Sequence, residues 1–167
     1  MHLQYLLGSL FTLPLLPVLY YQGKRVKARV PQLPEAAGPA GRSGAPSGSP
    51  LRLLVLGEST MAGVGVKTHA EGFAGTLSDE LAERLGADVQ WRVYARSGYT
   101  AQQVRERLVP QIEPAAADLI VVGLGANDAF ALNSPRKWRR DVTGLIDALQ
   151  AKCPAATIAF VNMPPIK

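Results

Sequence analysis

The pattern of apolar residues predicts at least four strands from residue 51 onward. Residues 51–56 form a short apolar run that ends at Gly57, which is typical of a strand buried on both faces. Residues 119–124 form a similar run. Residues 89–95 alternate between apolar and polar side chains, and residues 157–161 are again mostly apolar. We therefore expect strands at all four segments.

Helices are predicted between these strands. One repeats its apolar residues every four positions and stops at a glycine, with Phe73, Leu77, Leu81 and Leu85 before Gly86. A second would begin with a capping box of Thr100 and Gln103. A third would begin at Ser134 and Pro135 and turn Trp138, Val142, Leu145, Ile146 and Leu149 inward. Strands that alternate with helices imply a parallel sheet covered by helices on both faces.

The N-terminal segment has a different character. Residues 3–21 carry no charge and would reach roughly 28 Å as one helix, about the thickness of a bilayer core. Pro14 and Pro17 weaken such a helix, because each removes a hydrogen bond. We expect a membrane anchor over residues 1–23, with the domain behind it on the cytoplasmic side because basic residues follow the apolar run. The alternatives are a cleaved signal peptide that exports the protein, and a packed N-terminal helix or hairpin.

Charge and composition divide the remainder of the chain. Residues 24–50 predict a linker that is first basic and then rich in Pro, Gly and Ser, and residues 51–167 predict one domain. The first 50 residues carry five basic residues and one acid, which leaves the domain almost neutral although the chain has a net charge of +5. This distribution argues against nucleic-acid binding. Cys153 is the only cysteine, which excludes an internal disulfide and a cysteine-based zinc site, and we expect a buried structural thiol.

Three loops follow the first three predicted strands, at the edge of the sheet where ligands bind in such folds. The first presents Ser59 after a buried strand, but Met61 stands where the nucleophile elbow of α/β-hydrolases has its second glycine, and a phosphate-binding loop is also disfavoured. The second contains Gly98, and the third contains Asn127. An amide side chain supplies uncharged hydrogen-bond donors, which stabilisation of an oxyanion requires. Taken alone, Ser59 and Gly98 would suit ordinary turns.

Together, Gly57-Glu58-Ser59, Gly98 and Gly125-Ala126-Asn127-Asp128 resemble the first three sequence blocks of the SGNH (GDSL-type) hydrolases, in the same order. The resemblance covers residues 51–161. It implies a flavodoxin-like, three-layer α/β/α sandwich and hydrolysis of carboxylic esters through an acyl-serine intermediate. In that scheme Ser59 is the nucleophile, and the oxyanion hole consists of the N–H groups of Ser59 and Gly98 and the side-chain amide of Asn127. Neither a metal nor an organic cofactor is implied.

The chain departs from the family pattern at two points. Glu58 replaces the usual aspartate, and the fourth block, Asp-x-x-His, does not occur. The resemblance therefore implies a chain truncated at its C-terminus, with the last strand and helix of the fold missing beyond Lys167. His69 is expected to be a solvated surface residue that does not touch Ser59, and Asp128 to tie loops together. Because a serine hydroxyl needs an adjacent base, we expect impaired hydrolysis.

Several functional questions stay open at the level of sequence. The substrate would be a small-molecule or lipid ester, and the membrane is the only other expected partner. An inactive fragment of an SGNH hydrolase, an acyltransferase of the same fold and a flavin or nucleotide binder are the alternatives, and the oligomeric state is undetermined. The four cations of residues 136–140 are expected to form a solvated helix face rather than a contact with anionic lipid.

Overall fold

The computed structural model describes residues 13–29, 31, 33–46 and 48–161. The chain divides into two units between Leu33 and Pro34. In the first unit, a 3₁₀ turn at Leu13–Leu15 precedes helix α1, Leu16–Arg29. The first twelve residues of the predicted membrane anchor lie outside the described part of the chain.

Helix α1 exposes its apolar side chains. Tyr20 and Tyr21 are two-thirds exposed, and the ammonium group of Lys24 lies 5.0 Å from the centre of the Tyr20 ring. Basic residues occupy the C-terminal half of the helix. None of the described helices is long and apolar enough to cross a membrane.

The second unit is built on a five-stranded sheet in the order β1-β3-β2-β4-β5. The strands are β1 Ala40–Ser43, β2 Leu51–Gly57, β3 Val89–Ala95, β4 Leu119–Gly123 and β5 Thr157–Phe160. Strands β2 to β5 run parallel to one another, which confirms the four predicted strands and places β2 at the centre.

Strand β1 was not predicted, because its sequence reads as linker. It pairs antiparallel with β3, so that the sheet has one antiparallel edge strand. Gly41 lies against the Trp91 ring, and a Cβ atom at this position would come within 2.3 Å of it. Strand β1 is held by backbone pairing and by contact with a neighbouring aromatic ring. It lacks the apolar side chains by which a strand is recognised in sequence.

The helices α2, Phe73–Leu85, α3, Ala101–Arg107, and α5, Pro135–Lys152, agree with the prediction. Their predicted caps are also present, namely Gly86 in a left-handed conformation, the capping box of Thr100 with Gln103, and the Ser134 hydroxyl. A short helix α4, Ala126–Phe130, and a 3₁₀ turn, Val109–Gln111, were not predicted.

Two cores lie on opposite faces of the sheet and establish the three layers. Leu53 and Val55 point to the side covered by α2, whereas Leu54 and Leu56 point to the side covered by α3 and α5. Cys153 is buried in the second core, as expected. The architecture is therefore the predicted α/β/α sandwich, and it brings the ends of β2, β3 and β4 to one edge.

Candidate active site

The first loop of the candidate site leaves the central strand through a close backbone contact. Gly57 has φ +153°, and a Cβ atom there would lie 1.9 Å from the carbonyl oxygen of Gly123. Only glycine fits this approach of β2 to β4. The side chain of Met61 fills the space beneath both glycines, which explains a large apolar residue in this loop.

Ser59 lies directly beyond this contact, at the carboxyl end of the central strand. Its loop is closed by backbone hydrogen bonds from Ala62 to Glu58 at 2.9 Å and from Val64 to Ser59 at 3.1 Å. The Ser59 side chain is partly exposed, and its Oγ lies 3.3 Å from Oγ of Ser97. Within the described chain, this is the only hydrogen bond of the Ser59 hydroxyl.

The second loop is held from two sides. The Arg96 N–H donates to the carbonyl of Gly57 at 3.0 Å, which attaches this loop to the end of β2. On the outer side, the Glu35 carboxylate accepts a hydrogen bond from the Ser97 N–H at 2.7 Å and another from the Arg96 guanidinium at 3.1 Å. Gly98 follows with φ +84° and open space around its Cα.

The third loop carries Asn127 on the short helix α4. The Asn127 side-chain amide donates one hydrogen bond to the carbonyl of Tyr99 at 3.1 Å, which joins the second and third loops. Its other N–H finds no acceptor among the described residues. The same is true of the backbone N–H groups of Ser59 and Gly98. Each of the three candidate donor residues thus keeps one N–H without a partner in the described structure.

Glu58 connects the first loop to the third. Its carboxylate accepts hydrogen bonds from the backbone N–H groups of Ala126 at 2.8 Å and Asn127 at 3.1 Å. Glu58 is buried, so that these bonds are shielded from competing water. The glutamate that departs from the family pattern therefore spans the gap between β2 and β4 and fixes the backbone of Asn127.

Asp128 ties loops together, as predicted from the sequence. One carboxylate oxygen accepts from the backbone N–H of Ala101 at 2.8 Å, and the other from the Asn133 side chain at 2.6 Å. Asp128 is buried and links the third loop to the start of α3. Both oxygens are engaged in structural hydrogen bonds.

His69 is buried, which corrects the expectation of a solvated surface residue. Only 6% of it is exposed, because its backbone anchors the segment before β1: the His69 N–H donates to the Ala37 carbonyl at 2.9 Å. Burial lowers the pKa of His69, and the nearby charge of Glu35 raises it by a smaller amount. No hydrogen bond joins His69 to Ser59, and His2 lies outside the described residues.

Two contributors to the site were missed in the sequence. Glu35 lies in the predicted linker, and its only signal is that it is the sole acid among the first 50 residues. Ser97 precedes Gly98 and had no signal of its own. Within the described ranges, no group of three or more His, Cys, Asp or Glu side chains could hold a metal ion.

The sequence and the fold of this chain both have counterparts among known proteins. The sequence model of the GDSL-like lipase/acylhydrolase family matches residues 55–167, about two-thirds of the chain. The chain belongs to the GDSL-like lipase/acylhydrolase family. All three sequence blocks of this GDSL-like chain lie within the matched region. No curated protein matches it in sequence.

Solved structures agree with the family. AlinE4, an SGNH-hydrolase family esterase, is 25% identical with a TM-score of 0.62, over 71% of this chain and 61% of its own. TesA is 26% identical with a TM-score of 0.56, over 68% of this chain and 62% of its own. The psychrotrophic esterase EstA from Pseudoalteromonas sp. is 23% identical with a TM-score of 0.54, over 68% of this chain and 61% of its own. At this identity the likeness supports the fold alone. The GDSL-like chain thus spans about three-fifths of the length of these proteins.

Proposed function

We propose that the protein is a serine esterase that hydrolyses carboxylic esters through an acyl-serine intermediate. Ser59 is the nucleophile, and the N–H groups of Ser59, Gly98 and the Asn127 amide form the oxyanion hole. The proposal rests on three N–H donors that have no partner among the described residues and that stand on loops at the carboxyl ends of β2, β3 and β4, one of which also carries the Ser59 hydroxyl. Membership of the GDSL-like lipase/acylhydrolase family and the likeness to AlinE4 support the same reaction.

The chemistry follows from the charge that develops during attack. Bond formation between Ser59 Oγ and the ester carbonyl carbon places negative charge on the carbonyl oxygen, which the three donors stabilise. Each such donor typically contributes roughly 10²–10³ in rate, because it is preorganised and partly shielded from water. Collapse of the tetrahedral intermediate releases the alcohol, and water then attacks the acyl-serine.

Proton transfer needs a base beside the Ser59 hydroxyl. The hydroxyl hydrogen-bonds to Ser97, and it makes no hydrogen bond to a histidine in the part of the chain that the structure describes. Loss of the base costs roughly 10⁶ in kcat in subtilisin, where the triad acts as a unit. We therefore expect the 167-residue chain to turn over esters far more slowly than an esterase with a complete triad.

Hydrolysis of p-nitrophenyl acetate tests this proposal. The 167-residue chain should show slow release of p-nitrophenol that Ser59→Ala abolishes. Thr60→Ala is the matched control, because it removes an exposed hydroxyl from the same loop. Turnover that survives Ser59→Ala would remove Ser59 as the nucleophile. Fast, Ser59-dependent turnover would reveal a base that the described contacts do not include.

We also propose that the N-terminal segment attaches the protein to a membrane, with residues 51–167 on the cytoplasmic side. The uncharged run of residues 3–21, the exposed tyrosines of α1 and the basic residues that follow support this arrangement. Protease treatment of sealed spheroplasts is the test: a cytoplasmic domain stays intact until the cells are lysed. Degradation in intact spheroplasts, or a shortened N-terminus in the mature protein, would instead favour export.

A further inference from the structure

The third loop presents two large apolar side chains to solvent. Phe130 is 84% exposed and Leu132 is 90% exposed. Leu132 also has φ +53°, a conformation that bulky residues rarely adopt. A position of this kind is normally filled by glycine or asparagine, and burial does not explain the leucine.

This presentation is structurally fixed. The Leu132 N–H donates to the Ala129 carbonyl at 3.0 Å, and the Asn133 N–H donates to the Asp128 carbonyl at 3.0 Å. The Asn133 side chain adds a bond to the buried Asp128 carboxylate. The loop therefore holds its two apolar tips outward from a rigid base.

Two cations without acidic partners follow immediately. Arg136 and Arg139 are exposed and make no ion pair within the described residues, whereas Lys137 and Arg140 both pair with the buried Asp141. Asp141 thus engages Lys137 and Arg140 and leaves Arg136 and Arg139 without an acidic partner among the described residues. Because Arg136 and Arg139 are three residues apart on α5, they lie on the same side of the helix.

Protruding apolar side chains beside unpaired arginines are the combination that binds the surface of an anionic bilayer. The apolar tips enter the boundary of the acyl chains, and the guanidinium groups bind the headgroup phosphates. We propose that Phe130, Leu132, Arg136 and Arg139 form a docking patch for anionic membranes, in place of the merely solvated helix face that the sequence led us to expect for the cations of residues 136–140. Phe130 lies three residues after Asn127 on the same short helix, so that the patch adjoins the third loop of the candidate active site.

A fluorophore at position 132 tests the patch separately from the N-terminal segment. Leu132→Cys is labelled with an environment-sensitive dye, since the native Cys153 is buried and protected. Leu85→Cys is the matched control, because Leu85 is 62% exposed on α2, which covers the other face of the sheet. With vesicles of phosphatidylcholine and phosphatidylglycerol, the dye at 132 should shift to the blue and brighten, and the dye at 85 should not.

The requirement for anionic lipid is tested by comparing vesicles with and without the anionic lipid and by removing the two arginines. Vesicles of phosphatidylcholine alone should give little shift at 132. The double variant Arg136→Gln/Arg139→Gln should weaken the response roughly tenfold or more, since each cation near an anionic surface contributes a favourable electrostatic interaction. An equal shift on both kinds of vesicle, or a shift that ignores the double variant, would overturn the assignment of an anionic surface.

Two further outcomes overturn the docking patch. Sedimentation of the protein with vesicles without a shift at 132 would mean that the N-terminal segment alone binds the membrane. A shift at 132 that grows with protein concentration in the absence of vesicles would assign the patch to a second copy of the chain. Neither readout involves ester hydrolysis, so that the failure of this proposal and the failure of the esterase proposal are distinguishable.

Discussion

The Glu58 carboxylate accepts a hydrogen bond from the backbone N–H of Asn127 at 3.1 Å, and so joins the loop of the candidate nucleophile to the loop of the candidate oxyanion donor. A second bond, from the N–H of Ala126, makes the contact bidentate. This relationship gives the departure from the family's aspartate a structural role: it sets where Asn127 lies relative to Ser59.

Replacement of Glu58 should destabilise the domain. Glu58→Ala leaves two partly buried N–H groups without an acceptor, and loss of hydrogen bonds to a charged group costs about 1.5–3 kcal/mol in the free energy of unfolding. Urea denaturation measures the change. Glu83→Ala, which removes an exposed carboxylate from α2, is the control and should leave the midpoint unchanged. Equal urea midpoints for Glu58→Ala and Glu83→Ala would show that the hydrogen bonds of Glu58 to Ala126 and Asn127 do not stabilise the domain.

Two glycines near the site should tolerate alanine differently. Gly57→Ala would place its Cβ against the Gly123 carbonyl, so we expect a loss of about 3 kcal/mol or more, and little folded protein. Gly98→Ala meets no neighbouring atom and should cost only the backbone strain, about 1–2 kcal/mol. Thermal unfolding separates the two. A Gly57→Ala variant as stable as Gly98→Ala would contradict the close approach of β2 and β4.

Glu35 should control the mobility of the second loop. Glu35→Ala removes the acceptor of the Ser97 N–H, and we expect faster amide hydrogen exchange over residues 96–99 with no change in β4. Glu71→Ala is the control, because the Glu71 side chain is exposed and makes no hydrogen bond within the described chain. Exchange mass spectrometry gives the answer, and unaltered protection of residues 96–99 would rule out this role.

Acid should destabilise the domain through His69. Burial holds the pKa of His69 below its ordinary value of 6.5, so the unfolded chain takes up a proton more readily than the folded one. Stability is therefore intact above that ordinary value and is lost as the pH falls below it. Between pH 7 and pH 5, the wild type should lose more stability than His69→Gln in urea titrations. Parallel losses in the two proteins would show that His69 does not titrate on unfolding.

Most of the central fold could be predicted, because the spacing of apolar residues along the chain reflects which side chains are buried. The strands β2 and β4 are apolar on both faces. The capping residues Thr100 and Ser134 accept hydrogen bonds from residues only a few positions further along the chain, so local sequence also reveals them. Strand β1 escaped prediction because its pairing with β3 depends on backbone hydrogen bonds and on Gly41 beneath Trp91. Such pairings join residues that are distant in sequence.

The candidate functional residues could be predicted from the sequence, but the residues that hold their loops in place could not. Ser59, Gly98 and Asn127 follow strands, so local sequence places them at one edge of the sheet. Glu35 contacts Ser97 across 62 positions, a relation that no local pattern expresses. Asp141 was also missed: it directly follows the basic run of residues 136–140, and only its partners, Lys137 and Arg140, explain why this carboxylate is fully buried.

The most direct test of the central claim is phosphonylation by a fluorophosphonate probe, mapped by mass spectrometry. We expect slow labelling of Ser59, no labelling of the Ser59→Ala variant, and a rate reduced by roughly 10²–10³ in Asn127→Ala, because one oxyanion donor is lost. Labelling that persists in Ser59→Ala, or that proceeds at the wild-type rate in Asn127→Ala, would contradict the assignment of the nucleophile or of its oxyanion hole.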